Sequence, residues 1–365
     1  MEFKHLIDFN EMPLTEREEL RDLALRIKKN PDKYRDVFKG RIMATHFYAP
    51  STRTQMSFQT AMMRLGGKVI GFSDPGSSSV SKGETLRDTV KIVSSYADIL
   101  VIRHPIEGAA FASSLYSHVP VINAGDGGHL HPTQTLTDLL TISELKGRCG
   151  GLTVGCCGDL LNGRTVHSLL RALMRFPENK FVLISTPELR LPGYVTDELR
   201  VRGCEIREVS TLEECIGELD ILYMTRIQRE RFKSPEEYAK QAGVYRLTPD
   251  KMALAKADLA VLHPLPKVDE IAPELDDDLR CQYFEQAENG MYIRMALVAK
   301  LIECARRGRA PAYPIPKASA CTNPRCITNH EKILPIMLKE VDGETRCHYC
   351  DRRAAGGNGG KAKSC

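Results

Sequence analysis

Four polar residues in a row, Ser51-Thr52-Arg53-Thr54, follow Pro50 and open a helix-spaced stretch that runs to Leu65. Hydroxyls and a guanidinium at a helix start offer free backbone N–H groups, the positive end of the helix dipole and a charged fork, which together suit an anion. The same residue types also serve as ordinary N-caps. Two more polar groups stand at strand ends in the first half of the chain. Arg103-His104-Pro105 follows the apolar run Ile99–Ile102, and His131-Pro132-Thr133-Gln134 follows the Gly-rich Ala124–Gly128. Open α/β sheets bind ligands at the carboxyl ends of their strands. In the second half, Gly158-Asp159-Leu160-Leu161-Asn162-Gly163-Arg164-Thr165, Thr225-Arg226-Ile227-Gln228 and His263-Pro264-Leu265-Pro266 sit at strand ends again. Arginines at two of these ends suit a dicarboxylate, each gripping one carboxylate with its fork. Gly155, Gly158 and Gly163 do not have the G-x-G-x-x-G spacing of a dinucleotide site. The polar loop Ser78–Glu84 carries a lone Lys82 and reads, by itself, as solvated surface.

A second kind of chemistry lies near the C-terminus. Cys321-x4-Cys326 and Cys347-x2-Cys350 are two close pairs separated by 20 residues, the pattern of a closed tetrahedral Zn2+ site built of four thiolates. A segment of this size has too little core to fold without a staple. His330 and His348 are spare ligand candidates. The other eight of the twelve cysteines form no framework and read as free thiols of a reducing compartment.

These groups need elements to hold them. The chain has 365 residues, 42% apolar and 27% charged, which is globular composition and excludes a largely disordered chain. Trp is absent and aromatics are 6%, so aliphatic side chains and Met must fill the core. The net charge of +4 includes +3 from Cys321 onward, leaving residues 1–320 near neutral, so any anion binding must be local. The apolar runs Lys68–Phe72, Ile99–Ile102, Val119–Asn123, Leu152–Cys157, Phe181–Ile184, Ile221–Met224 and Leu259–Leu262 read as buried strands alternating with amphipathic stretches, hence an α/β fold with parallel sheets. The expected organisation is a first α/β domain over 1–133, a second over 134–285, and a helix over 286–306. A Pro-rich linker over 307–320, a zinc-binding domain over 321–353 and a disordered tail over 354–365 follow. The start shows no secretory signal and no run is long enough to span a membrane, so a cytoplasmic location is expected.

Taken together, STRTQMSFQTAMMRLG, the SVSKGET loop, VIRHPIEGAA, AGDGGHLHPTQTLTDLLTI, GDLLNGRTVHSLL, ILYMTRIQRER and VLHPLPKVDEI resemble the catalytic chains of the aspartate carbamoyltransferase family, over residues 3–310 and in the family's order. The resemblance implies a carbamoyl-phosphate domain and an aspartate domain, with the 286–306 helix packing back on the first. It implies transfer of the carbamoyl group of carbamoyl phosphate to the amine of L-aspartate, a step of pyrimidine synthesis. Ser51, Thr52, Arg53 and Thr54 would hold the phosphate, helped by Arg103. Thr54, Arg103 and His131 would face the carbamoyl oxygen. Gln134 and the backbone of Pro264 and Leu265 would orient the carbamoyl NH2, and Arg164, Arg226 and Gln228 would bind the aspartate carboxylates. In the family a loop Ser and Lys complete the site of a neighbouring subunit, so Ser79 (with Ser78 as the alternative) and Lys82 would require a homotrimer. Lys267 stands where the family usually has Arg, and Gln55 where it often has another residue; neither carries an expected role. No organic cofactor is expected.

The cysteine segment resembles the zinc domain of that enzyme's regulatory chain, here fused to the catalytic one. The resemblance implies one structural Zn2+ per chain. The zinc domain is expected to pack on a catalytic subunit, its own or a neighbour's, and offers a route to assemblies larger than a trimer. No nucleotide-binding segment accompanies it, so CTP and ATP are expected to have little effect. Two rival readings fit the sequence less well. Ornithine carbamoyltransferases typically carry a Cys-containing HCLP motif where this chain has His263-Pro264-Leu265-Pro266. A zinc-ribbon nucleic-acid binder would need more than a net +3 and the single aromatic Tyr349, so no nucleic-acid or membrane partner is expected.

Overall fold

A computed structural model describes residues 5–229, 232, 234–241, 243–305, 321–341 and 343–354. The expected linker and nearly all of the expected tail lie outside them. The described residues form two compact units. The first holds residues up to Asp8, Leu14–Pro132 and those from Arg294 on; the second holds Phe9–Pro13 and Thr133–Ile293.

In the first unit, α1 (Leu14–Lys29) buries Leu20, Ala24 and Ile27, one helical face at spacings of four and three. The strands β1 (Ile42–Phe47), β2 (Lys68–Phe72), β3 (Ile99–His104) and β4 (Val121–Asp126) make one parallel sheet in the order β2-β1-β3-β4. The helices α2 (Thr52–Arg64), α3 (Leu86–Val93) and α4 (Ala109–Tyr116) make the crossovers. Ile99, Leu100, Val101 and Ile102 are fully buried, as a central parallel strand covered on both faces requires. Chain order reverses between β1 and β3, so the ligand crevice of this sheet lies beyond their carboxyl ends.

In the second unit, β5 (Thr153–Cys157), β6 (Lys180–Ile184), β7 (Glu205–Val209), β8 (Ile221–Met224) and β9 (Ala260–Leu262) form a second parallel sheet in the order β7-β6-β5-β8-β9. Its helices are α5 (Pro132–Lys146), α6 (Arg164–Leu173), α7 (Gly193–Val201), α8 (Pro235–Gln241) and α9 (Pro249–Ala253). Here α6 buries Val166, Leu169, Leu170 and Leu173, a complete i, i+3, i+4, i+7 stripe. Leu222 in β8 has no exposed surface, and truncating it to Ala would cost about 2–5 kcal/mol. The reversal of order falls between β5 and β8. A long helix, α10 (Tyr283–Ala305), contributes its residues up to Ile293 to this unit and the rest to the first.

The cysteine segment belongs to the first unit and consists of two knuckles and the antiparallel hairpin β10 (Leu338–Val341) and β11 (Glu344–Cys347). Its small core is completed by its host: Ile327, Met337 and Tyr349 pack in one buried cluster with Leu86, Leu100 and Ala112. The segment therefore packs on its own chain, the first of the two arrangements the sequence left open.

Candidate functional site

Three sequence-selected groups lie along the carboxyl edge of the first sheet. β1 ends at Phe47, whose register partner in β3 is Arg103, and Tyr48 N–H donates to the Arg103 carbonyl at 2.8 Å. The chain then turns into α2, whose N-cap Ser51 makes no side-chain capping hydrogen bond. The cap side chain thus does not occupy the first-turn amides, which suits the anion-binding reading over the plain N-cap. Thr54 is buried on the first turn. Arg103 Nη1 donates to the Ala124 carbonyl at 3.0 Å and lies 3.5 Å from His131 Nε2, so the ends of β3 and β4 bring those two side chains together. His104 does something else. Burial pushes its pKa down to about 4, and its Nδ1 accepts from Ile106 N–H at 3.1 Å, a neutral ring that shapes the turn.

Ser79 and Lys82 are exposed on the short-turn loop after β2. Ser78 is committed locally: its hydroxyl donates to the Pro75 carbonyl at 2.8 Å and accepts from Val80 N–H at 3.3 Å. Between the two loop serines, Ser79 is therefore the one whose side chain the loop does not use as a cap.

The second unit collects the others at its own strand ends. The loop after β5 passes Gly158 with φ +114°, where a Cβ would lie 2.4 Å from the Thr225 carbonyl oxygen, so only glycine lets β5 and β8 approach this closely. Asp159 Oδ1 accepts from Asn162 N–H at 2.9 Å, and Asp159 N–H donates to Thr225 Oγ1 at 3.1 Å. Gln228 Nε2 reaches the Asn162 carbonyl at 3.4 Å. The loop preceding Arg164 and the strand end bearing Arg226 are thus tied to one another. His167 braces the same loop through an Nε2–H bond to the Leu160 carbonyl at 2.7 Å, and burial holds its pKa near 4.

Gln134 Nε2 donates to Asp138 Oδ1 at 2.8 Å. Asp138 is wholly buried and also accepts from Gln286 Nε2 at 2.6 Å and Tyr223 Oη at 3.0 Å. At the end of β9, Leu265 N–H donates to His263 Nδ1 at 2.8 Å, which leaves the proton on Nε2, and Nε2 donates to Glu270 at 2.7 Å. Glu270 also accepts from the amides of Val268 and Asp269 at 3.0 and 3.1 Å. Leu265 is held at φ +50°, a left-handed conformation rare for a branched side chain, so the 264–265 backbone is imposed by its surroundings. Asp138, His167 and Glu270 escaped the sequence reading. Only the i, i+4 spacing of Gln134 and Asp138 on one helix carried a signal. Lys267 pairs with Asp276 at 2.9 Å.

The four cysteines Cys321, Cys326, Cys347 and Cys350 are all buried, with their Sγ atoms within 4.8 Å of one another. Cys321 and Cys350 lie 3.5 Å apart, Cys326 and Cys347 3.8 Å. A tetrahedron with Zn–S bonds of about 2.3 Å has edges of about 3.8 Å, so the residues fit the ion. His330 Nε2 lies 3.0 Å from the Pro324 carbonyl and the His348 ring packs tilted against Phe111 with centroids 4.3 Å apart, and neither joins the group. Elsewhere burial pushes the thiols of Cys156, Cys215 and Cys281 up to about 12, 11 and 12, which suits packing and not nucleophilic chemistry.

Two units, each built on a parallel sheet with polar and arginine side chains at its strand ends, have the architecture of a group-transfer enzyme of the carbamoyltransferase class. Residues 4–144 match the aspartate/ornithine carbamoyltransferase carbamoyl-P binding domain, and residues 150–301 match the Asp/Orn binding domain of the same enzymes. The chain belongs to the aspartate carbamoyltransferase catalytic-subunit family. It is 58% identical over 300 residues to the aspartate carbamoyltransferase catalytic subunit of Clostridium perfringens, covering 82% of this chain and 98% of that one. The catalytic subunit of M. jannaschii aspartate transcarbamoylase superposes with a TM-score of 0.79 at 45% identity, covering 84% of this chain and 100% of the other. Aspartate transcarbamoylase from Trypanosoma cruzi, solved with carbamoyl phosphate and aspartate, superposes with a TM-score of 0.77 at 36% identity over 82% of this chain and 96% of that one. Residues 317–356 match the metal binding domain of the aspartate carbamoyltransferase regulatory chain. Among the described residues no helix is long and apolar enough to cross a membrane.

Proposed function

We propose that this chain transfers the carbamoyl group of carbamoyl phosphate to the amine of L-aspartate, giving N-carbamoyl-L-aspartate and phosphate for pyrimidine synthesis. The observation that carries the reading is the grouping of the α2 start, Arg103 and His131 on one edge of a parallel sheet, within a chain 58% identical to a named catalytic subunit. Ser51, Thr52, Arg53 and Thr54 bind the phosphate with the α2 amides. Thr54, Arg103 and His131 stabilise the negative charge that grows on the carbamoyl oxygen as the amine attacks. Gln134 and the carbonyls of Pro264 and Leu265 orient the carbamoyl NH2, while Arg164, Arg226 and Gln228 grip the aspartate carboxylates. A C–N bond forms, the C–O bond to phosphate breaks, and the leaving phosphate takes the amine proton. No covalent enzyme intermediate is needed, so positioning and electrostatics supply the rate.

Ser79 and Lys82 act in the site of a neighbouring subunit of a homotrimer; their exposure on this chain supports that use. Cys321, Cys326, Cys347 and Cys350 hold one structural Zn2+ per chain, and a reducing cytoplasm keeps their thiolates available. Bound Zn2+ would supply cross-linking of the segment and no chemistry. The test is an assay of phosphate release with carbamoyl phosphate plus either aspartate or ornithine. Turnover with aspartate alone is expected, and turnover with ornithine alone would overturn the reading.

A further inference from the structure

We infer that the cysteine segment is a clasp that positions the loops at the carboxyl ends of β3 and β4, and with them Arg103 and His131, acting through the Asp351–His129 and Asn323–Glu107 contacts. The inference rests on the proposed reaction only in that those loops are taken to hold carbamoyl phosphate.

Arg103 is the penultimate residue of β3, and the loop that follows carries Glu107 at its far end. Glu107 is 3% exposed, and both carboxylate oxygens are taken by the segment: Asn323 Nδ2 donates at 2.7 Å and Arg325 Nη2 lies at 3.3 Å. Its backbone is gripped as well, with Glu107 N–H donating to the Arg325 carbonyl at 3.0 Å and Ile327 N–H donating to the Glu107 carbonyl at 2.9 Å. The next residue, Gly108, has φ +85°, and a Cβ there would lie 2.6 Å from Tyr349 Cβ. That position is shaped for close contact with the segment.

The loop after β4 is caught at His129, two residues before His131. His129 Nε2 meets Asp351 Oδ2 at 2.7 Å, and Nδ1 meets Asp126 Oδ2 at 3.2 Å. Lys339 holds the other oxygen of Asp351 at 2.6 Å. Asp126 in turn joins the two loops: Oδ2 accepts from Gly108 N–H at 2.8 Å and Oδ1 from Leu130 N–H at 3.1 Å. Gly127 N–H donates to the His104 carbonyl at 2.8 Å. A chain of hydrogen bonds therefore runs from Asp351 through His129 and Asp126 to the amides of Gly108, in the loop that follows Arg103, and of Leu130, which precedes His131. Buried charged groups deprived of a partner reorganise, because leaving them unsatisfied is costly. Both loops are built with such groups, and the partners are in the segment.

The experiment uses the full zinc-loaded chain carrying Asp351→Ala, His129→Ala, both together, or Asp351→Asn, with zinc content measured for each. Amide hydrogen exchange over 104–108 and 126–131 is expected to quicken about tenfold in either single alanine variant, with zinc retained. The KM for carbamoyl phosphate should rise about tenfold while that for aspartate stays within about twofold. The double variant should be no worse than His129→Ala, since the two residues act through one contact. Asp351→Asn, which keeps an acceptor for Nε2–H, should restore most of the loss. Wild-type exchange and wild-type KM in both zinc-loaded single variants would overturn the clasp, as would additive losses. If Asp351→Ala loses zinc, His129→Ala alone decides. Absence of turnover in the unaltered chain would defeat the proposed reaction, and hydrogen exchange would still decide whether the segment holds these loops.

Discussion

His263 and Glu270 form a buried pair 2.7 Å apart at the end of β9, with the imidazole proton on Nε2 donated to the carboxylate. The pair closes a loop in which Leu265 N–H bonds to the opposite ring nitrogen, so the carboxylate fixes the ring and the ring fixes the backbone of 264–265. Replacing Glu270 by Ala would strand three donors, the ring Nε2–H and the amides of Val268 and Asp269. A destabilisation of about 2–4 kcal/mol is expected in denaturant melts. Glu270→Gln, which keeps one acceptor, should cost less, and both variants should lower kcat.

The same pair predicts a pH signature. Burial pushes the Glu270 carboxyl up, but the hydrogen bonds from His263 and from backbone amides outweigh it and hold the pKa below the ordinary 4.5. A carboxyl with a depressed folded-state pKa contributes stability fully above its unfolded value, and that contribution disappears as pH falls through the folded one. Melting temperatures of the wild type and Glu270→Gln should thus differ at neutral pH and converge below about pH 4.5. A gap that persists on acidification would show that the charge of Glu270 is not what stabilises the loop.

Lys82→Ala should abolish turnover although Lys82 is exposed on its own chain. Mixed with His131→Ala chains, also inactive alone, and reassembled, it should regain up to about one quarter of wild-type activity, because one site in four combines two intact contributors. No recovery in mixed trimers would mean that each chain builds its own site.

The two anion sites should separate kinetically. Arg226→Ala removes a carboxylate fork and should raise the KM for aspartate by about 10²-fold or more, leaving inorganic phosphate binding within about twofold. Arg103→Ala should weaken phosphate binding and depress kcat. Calorimetry with inorganic phosphate on both variants distinguishes them, and equal phosphate affinity in both would count against the assignment of Arg103.

Removal of the metal should unfold the cysteine segment. Metal analysis is expected to find one zinc per chain in the wild type and none in Cys347→Ser, with a lower melting temperature in the variant. Full thermal stability without zinc would show that the packing of Tyr349 and Met337 on the host unit suffices by itself.

Much of the fold was legible because central parallel strands must be apolar along their whole length. All seven apolar runs are strands, with ends shifted by at most three residues at any terminus, although Lys68–Phe72 is an edge strand and not a buried one, and the expected 286–306 helix is α10, Tyr283–Ala305. Four strands were missed, the hairpin β10–β11 and, in the parallel sheets, β1 and β7, and the last two show the limit of the criterion. In β1 the run is interrupted by Thr45 and His46, which are buried nonetheless, His46 stacking on Phe72 at 4.7 Å. β7 is an edge strand with no buried residue, so Glu205, Arg207 and Glu208 interrupt its apolar Ile206 and Val209 and no run forms.

The candidate site divides in the same way. Residue type and spacing along the chain were enough to single out the Ser51–Thr54 helix start, the arginines at strand ends and the four cysteines as candidates, since each choice rests on a local element or motif. The partners that hold them were not readable. Asp138 contacts Gln286 across 148 residues, and His129 contacts Asp351 across 222. A pairing over such separations leaves no periodicity or motif in the sequence. It arises only when the order of the strands in each sheet, and the seating of the cysteine segment on the first unit, have brought those residues to one place.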